Sequence, residues 1–214
     1  MVYVLHAKPI HGHYPKVDWG ADSMPSANMI EPPQDGMPKI GAEKSGVPVD
    51  GSPLPQRVIW DEKPEHPPAD FDSMPRINVS ERAKAVIESV EPGVHQFFPV
   101  DYYGRDGKLI ETRYWVYICN RRDSVCAEKS NWVLNPLGYY SDPKMALRRG
   151  WDIPAHVDVN APAKFVFEKA KIGDIHLWRE ARADGLPLMS ETMYRAIVDA
   201  DLTGFAPSEK KEVI

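Results

Sequence analysis

Apolar positions along this chain fall into two regimes that meet near residue 75. Beyond that point they recur at helical spacing. Ala83, Val86, Ile87 and Val90 stand at i, i+3, i+4 and i+7 and predict a single amphipathic helix. Ser80 is placed to cap it, and Glu81 puts a carboxylate where the helix dipole favours one. Pro92-Gly93 ends it. Phe97-Phe98-Pro99-Val100 then reads as extended.

Strand signals follow. Tyr114–Cys119 is aromatic and β-branched with few polar breaks, which predicts a strand covered on both faces. Lys108–Arg113 leads into it or pairs with it, and Gly104-Arg105-Asp106-Gly107 reads as a hairpin turn. Trp132–Leu134 and Lys164–Phe167 are further short strands. In Asp174–Arg179, alternation places Ile175 and Leu177 on one side and His176 and Trp178 on the other. Ser141 or Asp142 caps a short helix with Pro143 at its first position, running to Arg149 before Gly150.

The helical unit occurs twice. Ser190-Glu191 repeats Ser80-Glu81, and Met193, Ala196, Ile197 and Ala200 repeat the apolar stripe at the same offset. Leu202–Pro207 echoes the glycine stop and the aromatic-x-proline piece after it. The lead-ins Ile77-Asn78-Val79 and Leu186–Met189 both predict short strands feeding a helix. Cap, stripe and stop agree at several levels, which points to a duplicated packing unit and not to a catalytic centre.

Residues 1–74 behave differently. Twelve of the 21 prolines lie in residues 1–70, and each removes an amide donor and holds its predecessor extended, so no ordinary helix fits there. Val2–Leu5 and Arg57–Trp60 are the best strand candidates. Trp19, Trp60, Met24, Met29 and Met37 are too many large apolar groups for an inert linker. The expectation is an extended arm, residues 1–74, packed on an α+β domain of residues 75–214. Part of residues 20–55 is expected to be mobile. The fold class is α+β, with a mixed or mostly antiparallel sheet and the two repeat-related helices.

Composition narrows function by exclusion. The 214 residues are 43% hydrophobic and 27% charged, a globular balance. A net charge of −5 argues against a nucleic-acid partner. No run of 18 apolar residues exists to span a membrane, and Met1–Pro9 has no basic stretch followed by a long apolar one, so a cytoplasmic protein is expected. Cys119 and Cys126 read as packing residues, since a reducing compartment disfavours a disulfide and a structural zinc needs more ligands.

Three segments in order carry a resemblance. They are Val79–Val100, Tyr114-Trp115 through Asn120–Ser130, and Ile175–Arg179 followed by Met189-Ser190-Glu191 and Asp201–Phe205. Together they resemble immunity protein family 11, a bacterial family first described as a domain of unknown function. The resemblance spans about residues 75–205, and Tyr3-Val4-Leu5 looks like the usual family opening. It departs at Cys126, where an acidic residue is common, and after Phe205. It implies a protein encoded beside a secreted polymorphic toxin, of the kind delivered by type VI secretion, that neutralises the toxin by direct binding. That would need no cofactor and no enzymatic activity. A toxin that works in the cytoplasm fits the absence of a leader. Nucleic acid and membrane are not expected as partners, and self-association into a homo-oligomer is left open.

Candidate chemistry is sparse. His6, His11 and His13 cluster and His11-x-His13 is a conceivable metal pair, yet no acidic or thiol third ligand sits at obvious spacing, so no metal is expected. Asn120-Arg121-Arg122-Asp123 with Glu128-Lys129-Ser130 reads either as a polar substrate pocket or as a turn whose charges satisfy one another. Ser130, His95 and Asp123 would need assembled geometry to count as a triad. No phosphate-cradling glycine motif is present. For toxin binding, Tyr102, Tyr103, Tyr139, Tyr140 and Trp151 lie beside loops, where aromatics anchor interfaces, unless they cap the core. Asp61 and Glu62, with Glu65, Asp70 and Asp72, would steer a basic partner or form a solvated face. Two other readings stay open: an enzyme acting on a small polar substrate at Asn120–Ser130, and an adaptor of a secretion apparatus.

Overall fold

The computed structural model describes residues 1–8, 17–18, 25–38, 40–63, 65–72, 76–206 and 211–214. Trp19, Met24, His11 and His13 fall outside them.

The two copies of the repeat fold alike. Glu81–Val90 and Glu191–Asp199 are helices. Ser80 and Ser190 cap them with nearly the same backbone angles, φ/ψ −70/168 and −72/167, and each hydroxyl accepts the amide three residues on at 3.2 Å. Each lead-in is a strand, Asn78–Val79 and Leu186–Ser190. Each lead-in has a strand on either side. Phe71–Asp72 and Leu109–Tyr117 flank the first, and Val2–Val4 and Leu177–Glu180 flank the second. The match stops there. The first lead-in's long neighbour follows it in the chain, whereas the second's precedes it.

Two sheets result. The larger runs Val17–Asp18, Arg57–Trp60, Gln96–Tyr103, Leu109–Tyr117, Asn78–Val79, Phe71–Asp72. The smaller runs Val2–Val4, Leu186–Ser190, Leu177–Glu180, Arg121–Arg122. Both are mixed: Arg57–Ile59 lies parallel to Asp101–Tyr103, and Arg121-Arg122 parallel to Arg179-Glu180. The α+β class therefore holds. Gly104–Lys108 turns the hairpin between the long strands, with the Gly104 amide on the Lys108 carbonyl at 2.8 Å.

The core is layered. Ala83 and Ile87 of the first helix meet Met193 and Ile197 of the second, and both sheets give one face to this cluster, through Val116, Ile118, Leu177 and Met189. The other face of the larger sheet carries Val100, Tyr102, Trp115 and Tyr117. Ala27, Ala42, Val49 and Leu54 pack on it, with Val58 and Trp60 of the neighbouring strand. Tyr114–Tyr117 is thus covered on both faces by strict alternation. The other face of the smaller sheet packs on Val125, Phe167 and Ile172. Here one expectation is corrected. Leu177 enters the helix cluster, but Ile175 packs with Trp178 on the opposite side, because the strand begins only at Leu177 and alternation does not extend back to Ile175.

Glycine matters where the chain closes on itself. Gly204, the stop of the second repeat, has φ +74, and a Cβ there would sit 2.1 Å from the Phe71 carbonyl oxygen. Gly93, its counterpart, has φ +69 and open space around it.

Candidate functional site

Residues 132–160 form a small module with its own core of Val133, Ala146 and Val157, joined by Trp151 and Ile153. A two-stranded hairpin, Val133–Leu134 with Tyr140–Ser141, begins it. Asn135 shapes the tip by accepting the amides of Leu137 and Tyr139 at 2.9 and 3.0 Å. A short helix, Pro143–Arg148, follows. The Asp142 carboxylate accepts the amides of Lys144 and Met145, and proline occupies the first turn as expected. Arg182 fastens the module to the body, giving one hydrogen bond to the Gly138 carbonyl at 3.1 Å and one to Asp123 at 2.9 Å.

This construction leaves apolar groups in water. Leu137 at the hairpin tip is 76% exposed and Leu147 on the helix 58%, with Leu134 and Met145 also exposed. Burial of Ala146 and Pro143 forces the rest of so short a helix outward. Lys144, Arg148 and Arg149 are exposed beside them, and the Arg149 guanidinium lies over the Trp151 ring at 5.5 Å. An apolar surface with aromatic and arginine neighbours has the make-up of a protein-contact patch.

The aromatic candidates divide. Tyr139, Tyr140 and Trp151 belong to this module and are half-buried. Tyr140 also meets Phe165 edge-on at 5.5 Å, so part of its ring serves packing. Tyr103 is half-buried under the Arg57 guanidinium at 4.4 Å. Tyr102 is fully buried between Trp60 and Arg113, so its ring is a core group and is no longer counted as a contact residue. Alternation along Gln96–Tyr103 sends these adjacent tyrosines to opposite faces.

The acidic stretch does not form one solvated face. Asp70 and Asp72 are buried. Asp61 is paired with Arg105, and the Glu62 carboxylate lies 3.9 Å from His66. Asp61, Glu62 and Tyr103 lie near a cleft of about 480 Å³ lined by Trp60, His66, Pro67, Pro68 and Ile110.

Most polar groups of the segment after the central strand are engaged by the fold, while Glu128 and Lys129 are exposed. Asn120 donates to Glu91 and to the Leu177 carbonyl, Arg121 bonds Asp35 at 2.6 Å, and Asp123 holds Arg182. Ser130 bonds the main chain of Val166, and His95 bonds Glu91 at 2.9 Å. Ser130, His95 and Asp123 thus serve three different partners and do not assemble as a triad. Ser124 donates through both its amide and hydroxyl to Glu180, a fully buried carboxyl. Burial pushes the pKa of Glu180 up to about 7 against the pull of those hydrogen bonds.

Among the described residues no cluster of three metal-ligating side chains forms, and no helix is long and apolar enough to cross a membrane. His6 is exposed on a short strand paired with Phe205-Ala206. Cys119 and Cys126 are unpaired thiols.

The model of the immunity protein family Imm11 matches residues 5–212, and this chain belongs to that family. The match runs well beyond residues 75–205 and takes in nearly all of the proline-rich arm. No individual curated protein matches the chain.

Proposed function

We propose that this member of the immunity protein family binds and neutralises a cognate secreted bacterial toxin that acts in the cytoplasm. It does so as a stoichiometric binder, masking the toxin's active or interaction surface, without catalysis or a cofactor. The observation that carries this reading is the family match over residues 5–212.

The contact surface centres on the hairpin–helix module. Leu137, Leu147 and Met145 supply exposed apolar area, Tyr139 and Trp151 supply aromatic anchors, and Arg148 supplies a basic rim. Tyr103, with Asp61 and Glu62 at the Trp60 cleft, forms a second and smaller contact. An apolar surface rimmed by Lys144, Arg148 and Arg149 suits a toxin patch that is apolar with an acidic border.

Co-expression with the product of the adjacent gene tests the reading. Growth rescue together with a stable, co-purifying complex is expected. A neighbour that is harmless when expressed alone, or that forms no complex, overturns it and favours the adaptor or enzyme alternatives.

A further inference from the structure

Residues 32–38 form a loop of the arm that reaches the tip of the hairpin–helix module. A Cβ built on Gly138 would stand 3.2 Å from Pro38 Cγ and 3.2 Å from Arg182 Nη1, so the tip is seated between the loop and Arg182. Gln34, Asp35 and Gly36 are exposed, and Met37 and Pro38 are half-buried. Among the described residues, none of these five joins a hydrophobic core cluster.

The loop is nevertheless tied down. Arg121 stands on the edge strand of the smaller sheet, and its side chain is 6% exposed. Its guanidinium donates to the arm three times: Nε to Asp35 at 2.6 Å, Nη2 to the Pro38 carbonyl at 2.9 Å and Nη1 to the Ser45 carbonyl at 3.2 Å. Within the loop, Asp35 accepts the Met37 amide at 3.0 Å, and Pro32, Pro33 and Pro38 restrict the backbone. Two residues beyond Arg121, Asp123 accepts from Arg182 Nε, while Arg182 Nη1 holds the Gly138 carbonyl and the Arg182 carbonyl accepts the Tyr140 amide at 2.8 Å. Residues 121–123 thereby fix both the arm loop and the hairpin tip. Ordering an exposed loop costs backbone entropy, and this loop returns no core burial. What the ordering supplies is a surface already set when a partner arrives, which lowers the entropy cost of binding.

We propose that residues 34–38 of the arm and the hairpin tip form one contact surface, which takes an apolar, acid-bordered face of the toxin, and that Arg121 is the positioning residue that holds its two halves in register. This inference rests on the toxin-binding reading above and adds the arm to it. Leu137, Met37 and Pro38 supply the apolar part. Charge fixes the sign of the partner's border. Asp35 is neutralised by Arg121 and Asp123 by Arg182. Lys144, Arg148 and Arg149 of the module are exposed, and none pairs with a carboxylate among the described residues. The surface therefore presents surplus positive charge, which acidic groups on the partner complement.

The full-length protein and its complex with the product of the adjacent gene are compared by hydrogen–deuterium exchange and calorimetry. Binding is expected to slow exchange about tenfold at the amides of Gly36 and Met37, together with those of Leu137 and Tyr139. Asp35→Ala removes an exposed partner of Arg121, so the Tm of the free protein should move by no more than about 3 °C. The Kd of the complex should nevertheless rise about tenfold, because the loop is no longer held for the partner. Asp35→Glu restores the carboxylate and should bring the Kd back to within about threefold of wild type. Protection confined to the module, or wild-type affinity in Asp35→Ala, overturns the proposal and leaves the toxin-binding reading standing. A wild-type protein that forms no complex overturns both.

Discussion

The main-chain amide of His176 donates to the carboxylate of Glu91 at 2.7 Å. Glu91 closes the first helix of the repeat, and His176 Nδ1 lies 2.8 Å from Ser190 Oγ, the cap of the second. A matching tie joins the other ends. Asp70 accepts from the Ser80 hydroxyl at 2.6 Å and from the amide of Thr203, just past the second helix, at 2.9 Å. The two helices therefore lie antiparallel, each with its cap bound through a carboxylate to the far end of its partner.

Removing one of these carboxylates should be expensive. Glu91 is buried and also holds His95 at 2.9 Å and Asn120 at 3.3 Å. Glu91→Ala is expected to lower unfolding stability by about 3 kcal/mol, read from urea denaturation. A loss under 1 kcal/mol would mean the tie is incidental.

The two caps share backbone geometry but not their second partner. Ser190→Ala should cost about 1 kcal/mol, an ordinary cap loss. Ser80→Ala strips a donor from the charged, buried Asp70 as well and should cost roughly twice as much. Equal losses would show that the Asp70 contact adds nothing.

Stability should peak in mildly acidic solution. Glu180 has its pKa raised by burial from 4.5 to about 7, so its contribution is fully present below pH 4.5 and is lost as pH rises through 7. Glu91 and Asp70 are buried, which alone would raise them, but hydrogen bonds from His95 and the His176 amide to Glu91, and from Ser80 and Thr203 to Asp70 with Arg82 beside it, hold both below their ordinary values. Their contributions are present above those ordinary values and are lost as pH falls through the depressed ones. Glu180→Gln is expected to flatten the decline between pH 5 and pH 8, worth about 3 kcal/mol. An unchanged slope in denaturation midpoint against pH would refute this.

Equivalent glycines should respond unequally. Gly93→Ala meets only the strain of a positive φ, about 1 kcal/mol. Gly204→Ala adds a clash with the Phe71 carbonyl that neither chain segment can relieve, and should cost more than about 3 kcal/mol or prevent folding. Thermal unfolding of the two variants side by side decides it.

On the contact surface, Leu137→Asp and Leu147→Asp should leave the urea midpoint unchanged, since both side chains are already in water. Each should weaken a co-purified complex about 30-fold. Wild-type affinity in both would move the interface away from the hairpin–helix module.

Much of this was legible without coordinates. Ser80, Ala83 and Ile87 and their counterparts Ser190, Met193 and Ile197 announce themselves because capping and a 3.6-residue stripe are local properties, set by neighbours in the chain. Asp142-Pro143 likewise marks its helix. Leu137 in the turn Asn135-Pro136-Leu137-Gly138 was a readable hint of an exposed apolar group, since turns seldom bury their tips. The duplication and the strand at Tyr114–Tyr117 follow from the same short-range rules.

Other features depend on groups far apart in the chain. Nothing local distinguishes Tyr102, sealed in the core, from Tyr103, partly at the surface, until Arg57–Trp60 joins the sheet beside them and Ala27, Val49 and Leu54 pack with Tyr102. Asp70 and Glu91 look like solvated acids until Thr203 and His176 arrive from 133 and 85 residues away. The sequence by itself determined the elements, their caps and the repeat, because those energies are summed over a few neighbouring residues. Tertiary structure alone decided which polar groups are buried and which surface is left for a partner, because desolvation depends on what long-range packing places beside each group.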